Sequence, residues 1–392
     1  MKTAIVHDYL SQRGGAERFV LGLCGLFPDA PVYTSIYAPE RTYPEFADIE
    51  VRTSSLQGRV NPDQFRRSVL RLPAAFSELD LSEFDQVVIS TSGFAHHVRH
   101  PRTAVYCHTP PHFLYDSRLY LGSRARAAAV RAPFAWLRRI DRIAAARHGS
   151  YVANSVQTSR RIKAVYGRES RVIHPPLTTG HLPDRLLPPR LPRALVIARL
   201  LAYKRIDVAI AACRRAGLGL TIVGEGPEEG RLRRLADGDV VFLGRQSDDE
   251  LRGLFEGHAV VLAPGLEDFG YGPVEANYAG RPVVALRAGG ALETVEDGVN
   301  GILVDSWDEA AWSDALNAAM ARDWSPAALR ATTSRFGVDV FGANVTSWLD
   351  GIEQPDARAE SGWPPLGSWQ HSGPRPDLSL RPRAAAAIAP GR

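Results

Sequence analysis

Short apolar runs rich in β-branched residues alternate with helical patterns along most of this chain, and no other feature limits its fold as strongly. Such alternation is typical of βα units wound around parallel sheets, because each crossover helix covers one face of the sheet. The runs form two series, and the stretch between them contains too many prolines to continue as a helix or as a central strand. We therefore predict an α/β fold with two doubly wound domains that face each other across a cleft.

The two series of runs set the predicted domain boundaries. The first series comprises KTAIVHDY, PVYTSI, DQVVIST, TAVYCHTP, SYVANS and RVIHPP, and the second comprises ALVIARL, LTIVGEG, VVFLGR, AVVLAPG, PVVALRAGG and GILVD. The first domain is predicted over residues 1–175, a proline-rich linker over 176–193 and the second domain over 194–335. A helical pattern covers residues 336–353. Residues 354–392 are rich in Pro, Ser, Ala and Arg and contain too few apolar side chains to fold alone, so they are predicted to form a disordered tail.

The composition excludes several broad classes of protein. The chain has 392 residues, of which 45% are hydrophobic and 23% charged, so it is neither wholly disordered nor fibrous. No apolar run approaches the roughly 20 residues of a membrane-spanning helix, and the opening MKTAIVHDYL lacks the order of a signal peptide. We therefore expect a cytoplasmic protein. The cysteines Cys24, Cys107 and Cys213 are odd in number and widely spaced, which predicts neither a disulfide framework nor a thiolate metal site.

Charge is distributed unevenly along the chain. Residues 1–200 carry 28 Lys and Arg against 16 Asp and Glu, whereas residues 201–392 carry 19 against 27. This basic first half predicts an anionic partner. Residues 117–149 contain eight arginines and one aspartate together with Trp136, so they fit an amphipathic helix on an anionic membrane as well as they fit a solvated helix face. No nucleic-acid-binding motif accompanies the charge, and nucleic acid is not a predicted partner.

A glycine-containing loop that leads into a helix is the most informative segment for function. The sequence GLEDFGYGPVEA follows the buried-strand pattern AVVLAP, which places Glu267 in a loop at the carboxyl end of a strand and Glu275 on the following helix. The free N–H groups of such a loop can bind an anion, and carboxylates there can bind sugar hydroxyls. On spacing alone, two glutamates that cap a helix are the simpler interpretation.

Several motif-like patterns are better explained as ordinary structure. The glycines after LTIV are spaced GxGxxxG, which does not match the dinucleotide-binding fingerprint. Residues 237–239 imitate a metal-binding DxD but fit a turn, and Ser247 with Glu250 fits a capping box. His96, His97 and His100 lack the spacing of a convincing metal site. The sequence therefore predicts no metal and no cofactor.

The segment from Glu267 to Thr294 resembles the Glu-x7-Glu region of glycosyltransferase family 4, a family with the GT-B fold that retains anomeric configuration. Other matching segments occur in order along residues 1 to about 350, namely Gly14-Gly15-Ala16-Glu17, His108-Thr109-Pro110-Pro111, Ala153-Asn154-Ser155, His174-Pro175-Pro176, Arg199 with Lys204, Gly224-Glu225-Gly226-Pro227 and Phe242-Leu243-Gly244-Arg245. The resemblance implies two Rossmann-like domains, and a final helix that crosses back onto the first of them.

The resemblance also implies roles for individual residues. Arg199 and Lys204 match the cations that hold the donor diphosphate and stabilise it as it leaves. Only three of the 47 basic residues are lysines, which sets Lys204 apart. Glu267 matches the glutamate that contacts the donor sugar, and Glu275 the one that binds the ribose.

Further positions match backbone or positioning roles. Phe269 and Gly270 would offer N–H groups to the sugar or phosphate, and Gly14 and Gly15 match a loop that approaches the diphosphate closely. His108 matches a histidine near the donor sugar, which we assign to sugar positioning and not to proton transfer. Gly244 and Arg245 are likewise assigned to donor binding.

The resemblance implies a retaining glycosyltransferase, similar to bacterial enzymes that use GDP-mannose to build polysaccharides on lipid carriers. It implies transfer of α-mannose to a lipid-linked or saccharide acceptor, by a protein that contacts the inner face of the plasma membrane if its basic stretch binds lipid. A UDP-sugar such as UDP-glucose is the alternative donor, since Tyr271 stands where similar sequences often have an aliphatic residue. A nucleotide-sugar epimerase or a non-catalytic GT-B subunit is the alternative of another class, but the full set of charged residues favours transfer.

Overall fold

The computed structural model describes residues 1–61, 68–116, 130–186 and 191–352. The predicted tail and residues 117–129 of the basic stretch lie outside the described residues. The strands of the first sheet are β1 (Thr3–His7), β2 (Val32–Thr34), β3 (Val51–Thr53), β4 (Gln86–Thr91), β5 (Thr103–Cys107), β6 (Ser150–Ala153) and β7 (Arg171–Val172). The helices in this half are α1 (Gly15–Leu26), α2 (Leu72–Ser77), α3 (His112–Tyr115), α4 (Arg131–Ala146) and α5 (Val156–Tyr166).

The second half contains a separate sheet. Its strands are β8 (Leu191–Ile197), β9 (Gly219–Val223), β10 (Val240–Gly244), β11 (His258–Ala263), β12 (Val283–Leu286) and β13 (Gly301–Val304). The helices are α6 (Ile206–Ala216), α7 (Glu229–Leu235), α8 (Asp248–Gly257), α9 (Tyr271–Tyr278), α10 (Ala291–Thr294), α11 (Glu309–Ala321), α12 (Pro326–Ala331) and α13 (Val338–Asp350). The described residues include no helix that is long and apolar enough to span a membrane.

Both sheets are parallel and doubly wound. The first has the order β3-β2-β1-β4-β5-β6-β7 and the second the order β10-β9-β8-β11-β12-β13. Every residue of β1, β4 and β5 is buried, as expected for parallel strands with helices on both faces. The strand order reverses between β1 and β4 and again between β8 and β11, and ligands of such sheets bind at the carboxyl ends beside these reversals. The predicted α/β class with two doubly wound domains is confirmed.

Local sequence explains where several helices begin and end. The Ser155 hydroxyl accepts a hydrogen bond from the Thr158 N–H at the start of α5, and Gly167 ends that helix in a left-handed conformation with φ of 67°. Ser247 and Glu250 form the predicted capping box at the start of α8.

The linker prediction overlaps the start of β8, because the strand begins at Leu191 and not at residue 194. Leu191 pairs with His258 and Ala194 pairs with Val260, with a shift in register between the two pairs. Pro192 lies at this irregularity, where the missing N–H of proline is tolerated.

The last helix lies on the first domain. In α13, Phe341, Val345 and Trp348 belong to the same buried cluster as core residues of the first domain. The Phe341 ring centroid is 5.4 Å from that of Phe19, and the Trp348 Nε1–H donates to the Ser150 hydroxyl at 2.6 Å. The C-terminal helix thus ties the end of the described chain to the sheet at its start.

Candidate active site

The loops at the carboxyl ends of the two sheets meet and form the candidate site. The Arg199 guanidinium, after β8, donates to the side chain of Gln12, after β1, at 3.1 Å. The Tyr271 ring, after β11, lies against Gly15 at the start of α1. Since both loops follow strands beside a reversal of strand order, the fold places this contact where doubly wound sheets bind ligands.

Lys204 and Glu267 form an ion pair at the centre of the second domain's side of the site. Lys204 ends a short 3₁₀ helix after β8, and Glu267 lies in the loop after β11. Burial disfavours the charged ammonium, but the Glu267 carboxylate more than compensates and raises the pKa of Lys204 above its ordinary value. The structure therefore brings together two of the residues that the sequence singled out, and the Lys204 ammonium is charged at neutral pH beside the loop that follows β11.

Glu275 lies on α9, where its carboxylate faces a second group of polar residues. His181 Nε2 is 3.1 Å from Glu275 Oε1, and the Arg18 guanidinium in turn contacts His181. Burial alone would raise the pKa of the Glu275 carboxyl, but His181 and Arg18 lower it below the ordinary value. Sequence reasoning missed His181 and Arg18, because they come from the linker and from α1 and no spacing joins them to Glu275.

The loop that contains Glu267 packs closely against Gly289 and Gly290, which follow β12. The Gly290 N–H donates to the Glu267 carbonyl at 2.9 Å, and a Cβ at Gly290 would overlap the Phe269 backbone. Gly270 has φ of 78°, a conformation that favours glycine, and it precedes the first turn of α9. Phe269 is itself buried, so its assignment concerns the backbone N–H alone.

His108 follows β5 in the first domain, and its ring is buried among aromatic and polar groups. Its Nε2 is 2.9 Å from the Ser90 hydroxyl, which lies 3.1 Å from Nδ1 of His7. Burial, helped by His7, lowers the pKa of His108 to about 3, so the imidazole is neutral at physiological pH. A neutral, hydrogen-bonded ring can position a hydroxyl, but its remaining N–H is too weakly acidic to protonate a leaving group.

Gly14 and Gly15 both lie where a side chain would collide with a neighbour. A Cβ at Gly14 would be 2.7 Å from Glu17 Oε2, and a Cβ at Gly15 would be 2.7 Å from Cε2 of Tyr271. In this arrangement a Cβ at Gly14 would displace the end of the Glu17 side chain, and a Cβ at Gly15 would displace the Tyr271 ring.

Gly244 and Arg245 lie apart from the Lys204–Glu267 pair. Gly244 ends β10, which is an edge strand of the second sheet, with φ of 68°. The Arg245 guanidinium is 3.9 Å from the Glu225 carboxylate, and it does not contact Glu267 in the described residues. Their assignment to donor binding stays a prediction.

Asp8 organises the first domain's side of the site, and sequence reasoning missed it. Its carboxylate accepts from the N–H groups of Ser92 at 2.6 Å and Ala95 at 2.8 Å. Asp8 directly follows β1, so it fixes the turn after the neighbouring strand β4.

A second polar bridge joins the two domains beside the site. His112 Nε2 is 2.7 Å from the Asp268 carboxylate of the second domain, and His112 Nδ1 is 2.9 Å from Asp116. Burial opposes protonation of His112, but these two carboxylates raise its pKa to about 9. Glu293 forms another bridge, because its carboxylate accepts from the Val156 N–H at 2.9 Å and lies 3.1 Å from His174 Nε2.

One group of the described residues has the right atoms to hold a metal ion. His96, His97 and Asp141 each offer a ligand atom within 4.8 Å of the others, and all three are buried. The Asp141 carboxylate accepts from the hydroxyls of Tyr115 at 2.7 Å and Tyr166 at 3.0 Å. The group also fits a hydrogen-bonded core cluster. The sequence named the histidines and missed Asp141, which lies on α4 and comes close only through the fold.

Comparison with known sequences concerns mainly the second domain. Residues 183–335 match the family model of Glycosyl transferases group 1. The chain is 32% identical over 113 residues to a GDP-mannose-dependent alpha-mannosyltransferase of Corynebacterium glutamicum, which covers 29% of this chain and 27% of the relative. It is 36% identical over 146 residues to a D-inositol 3-phosphate glycosyltransferase of Mycolicibacterium smegmatis, covering 34% of this chain and 33% of the relative. The matched segment is therefore a third or less of each relative.

Comparison with solved structures covers both domains. The Anabaena protein Alr3699/HepE in complex with UDP and glucose superposes with a TM-score of 0.68 at 19% identity, over 89% of this chain and all of that chain. WaaG, a glycosyltransferase involved in lipopolysaccharide biosynthesis, superposes with a TM-score of 0.61 at 14% identity, over 90% of this chain and 96% of that chain. These similarities confirm the predicted GT-B fold.

Proposed function

We propose that this protein is a retaining glycosyltransferase that binds a nucleotide sugar in the cleft and transfers the sugar to an acceptor. The observation that carries the proposal is the partly buried Lys204 ammonium, which pairs with Glu267 where the loops after β8 and β11 meet. A fixed cation at this place can stabilise the negative charge that develops on a departing nucleoside diphosphate. Arg199, whose guanidinium reaches across the cleft to Gln12, adds a second donor for phosphate oxygens.

The proposed reaction needs no protein nucleophile. The bond between the anomeric carbon and the diphosphate oxygen breaks, and the acceptor hydroxyl forms its bond on the same face of the sugar. The acceptor proton passes to the departing phosphate oxygen, so charge and atoms balance. Glu267 would orient the sugar hydroxyls, and the neutral ring of His108 would hold the sugar from the first domain.

GDP-mannose is the proposed donor, with α-mannose as the transferred sugar. The activity for which the Corynebacterium glutamicum relative is named, and the resemblance of the segment EDFGYGPVEA to enzymes that use GDP-mannose, support this choice. A UDP-sugar is the second candidate, because Alr3699/HepE has been solved with UDP and glucose. An epimerase or a non-catalytic subunit is disfavoured, since a charged pair placed at a leaving diphosphate serves transfer.

The proposed acceptor is a lipid-linked or saccharide hydroxyl, reached by a cytoplasmic protein at the inner face of the membrane. Helix α4 supports this proposal, because its outward face carries Trp136, which is 52% exposed, together with the exposed Arg131, Arg139 and Arg142. An exposed aromatic ring and several exposed arginines on one helix are the combination that enters an anionic interface.

Replacing the lysine of the ion pair tests the transferase proposal. We expect Lys204→Ala to lower kcat with GDP-mannose by about 10² to 10³, since it removes a fixed positive charge from the leaving group. Lys163→Ala is the matched control, because Lys163 forms an exposed ion pair with Glu169 on the surface of the first domain. Radiolabelled donor and a membrane lipid extract provide the assay. Labelled lipid supports transfer, whereas free epimerised sugar, or full activity in Lys204→Ala, would contradict the proposal.

A further inference from the structure

Tyr271 occupies a position between the two glutamates of the candidate site. It is the first residue of α9, four residues after Glu267 and four before Glu275. One helical turn separates it from Glu275, so the two side chains lie on neighbouring parts of the same helix face. The inference below rests on the proposed function, because it concerns the same donor site.

The Tyr271 ring crosses the cleft and packs on the glycine turn of the first domain, which is formed by Gly14 and Gly15. A Cβ at Gly15 would lie 2.7 Å from Cε2 and 2.9 Å from Cδ2 of the ring, so any larger residue would push the ring away. On its own side, the ring packs edge-on against Phe269, with centroids 5.4 Å apart. The ring is therefore held between the two domains at the point where the glycine turn approaches α9.

The hydroxyl of Tyr271 is buried, and it has no hydrogen-bond partner among the described residues. The charged and titratable groups that interact with it are Glu275, Arg18, Tyr43 and Tyr106. The two charged groups among them are engaged elsewhere, since Glu275 pairs with His181 and Arg18 also contacts His181. Burial raises the pKa of Tyr271, so the phenol keeps its proton and can donate it in a hydrogen bond.

A buried tyrosine hydroxyl normally finds a partner, because an unpaired polar group inside a protein is unfavourable. We propose that the Tyr271 hydroxyl hydrogen-bonds the ribosyl diphosphate part of the bound donor and thereby determines donor affinity. Ribose hydroxyls and phosphate oxygens can both accept from a phenol, and the hydroxyl lies among the groups around Glu275, on the ribose side of the proposed site. Because GDP and UDP share the ribosyl diphosphate, the contact serves both nucleotides equally.

Removing only the hydroxyl tests this proposal. We expect Tyr271→Phe to bind GDP and UDP about tenfold more weakly than the wild type in isothermal titration calorimetry, by the same factor for each nucleotide. The thermal midpoint of the ligand-free variant should be unchanged or higher, because the phenylalanine buries no unpaired hydroxyl. Together these results separate a ligand contact from a structural role.

Tyr278 provides a matched control at the other end of α9. The Arg330 guanidinium lies over its ring, 4.4 Å from the centroid, so this tyrosine serves the second domain's own packing. Tyr278→Phe should bind both nucleotides like the wild type.

The remaining outcomes each have a definite meaning. Wild-type affinity in Tyr271→Phe would overturn the inference, and so would a loss confined to one of the two nucleotides, since the hydroxyl would then recognise the base. A wild-type protein that binds neither nucleotide would overturn the proposed function itself. If Tyr271→Phe unfolds at a lower temperature than the wild type, the nucleotide affinity of Tyr271→Leu is measured beside it. Equal affinity of the folded leucine variant and the wild type would likewise overturn the proposed contact.

Discussion

Burial and neighbouring groups together determine whether a candidate residue is charged. Lys204 stays charged because Glu267 compensates its burial, whereas His108 stays neutral because burial, helped by His7, lowers its pKa. These opposite outcomes suit a diphosphate beside the lysine and an uncharged hydroxyl beside the histidine. Residue chemistry therefore supports a site that binds an anion on one side and a sugar on the other.

His108 gives a prediction about pH and stability. Its pKa is about 3 in the folded protein and about 6.5 when unfolded, so the unfolded state takes up more protons below pH 6.5. Stability is therefore lost as the pH falls from about 6.5 towards 3. We expect the free energy of unfolding of the wild type to fall by up to about 2 kcal/mol more than that of His108→Asn between pH 7 and pH 5.

Urea unfolding at pH 7 and pH 5 measures this difference, with His100→Asn as the control. His100 is only partly buried and its ring bonds backbone carbonyls, away from the site. An equal loss in the wild type and in His108→Asn would show that the ring is not held neutral.

The sequence could name residues whose neighbours in the chain form a recognisable pattern. Glu267, Glu275 and Lys204 stand in such segments, and the structure places Lys204 against Glu267. It could not name Asp8 or His181, because their partners come from distant parts of the chain. The fold alone brings each of them to the site.

At the scale of elements, local patterns predicted most of what the structure contains. Alternating apolar runs predicted the parallel strands, and the capping box at Ser247 follows from a four-residue pattern. The start of β8 differed, because Pro192 is tolerated at a shift in register that depends on the neighbouring strand. The sequence did not indicate Asp141 for a related reason, because α4 brings it close to His96 and His97 only in the folded chain.

Helix α4 carries the prediction that belongs to this scale. We expect the protein to cosediment with vesicles that contain anionic phosphatidylglycerol and to bind neutral phosphatidylcholine vesicles at least several-fold less. Replacing Trp136 and Arg139 together with serine should reduce this binding, because both side chains are exposed on one helix. Arg234→Ser, an exposed arginine on α7 of the second domain, is the control. Equal binding to both vesicle types would remove α4 as a membrane contact.

At the scale of the whole molecule, the two domains meet through side chains that also belong to the candidate site. Tyr271 touches Gly15, Arg199 reaches Gln12, and Asp268 pairs with His112. Residues from both domains therefore meet at the candidate site, so a ligand bound at the proposed donor site would contact both. The doubly wound architecture could be predicted from the sequence, but this set of contacts depends on how the domains are arranged.

A crystal structure of the protein grown with GDP would locate the proposed donor site. We expect the diphosphate to lie between the carboxyl ends of β8 and β11, within hydrogen-bonding distance of Lys204 Nζ and the Arg199 guanidinium, with the ribose at Glu275. A diphosphate bound elsewhere on the chain, with the Lys204–Glu267 pair untouched, would contradict it.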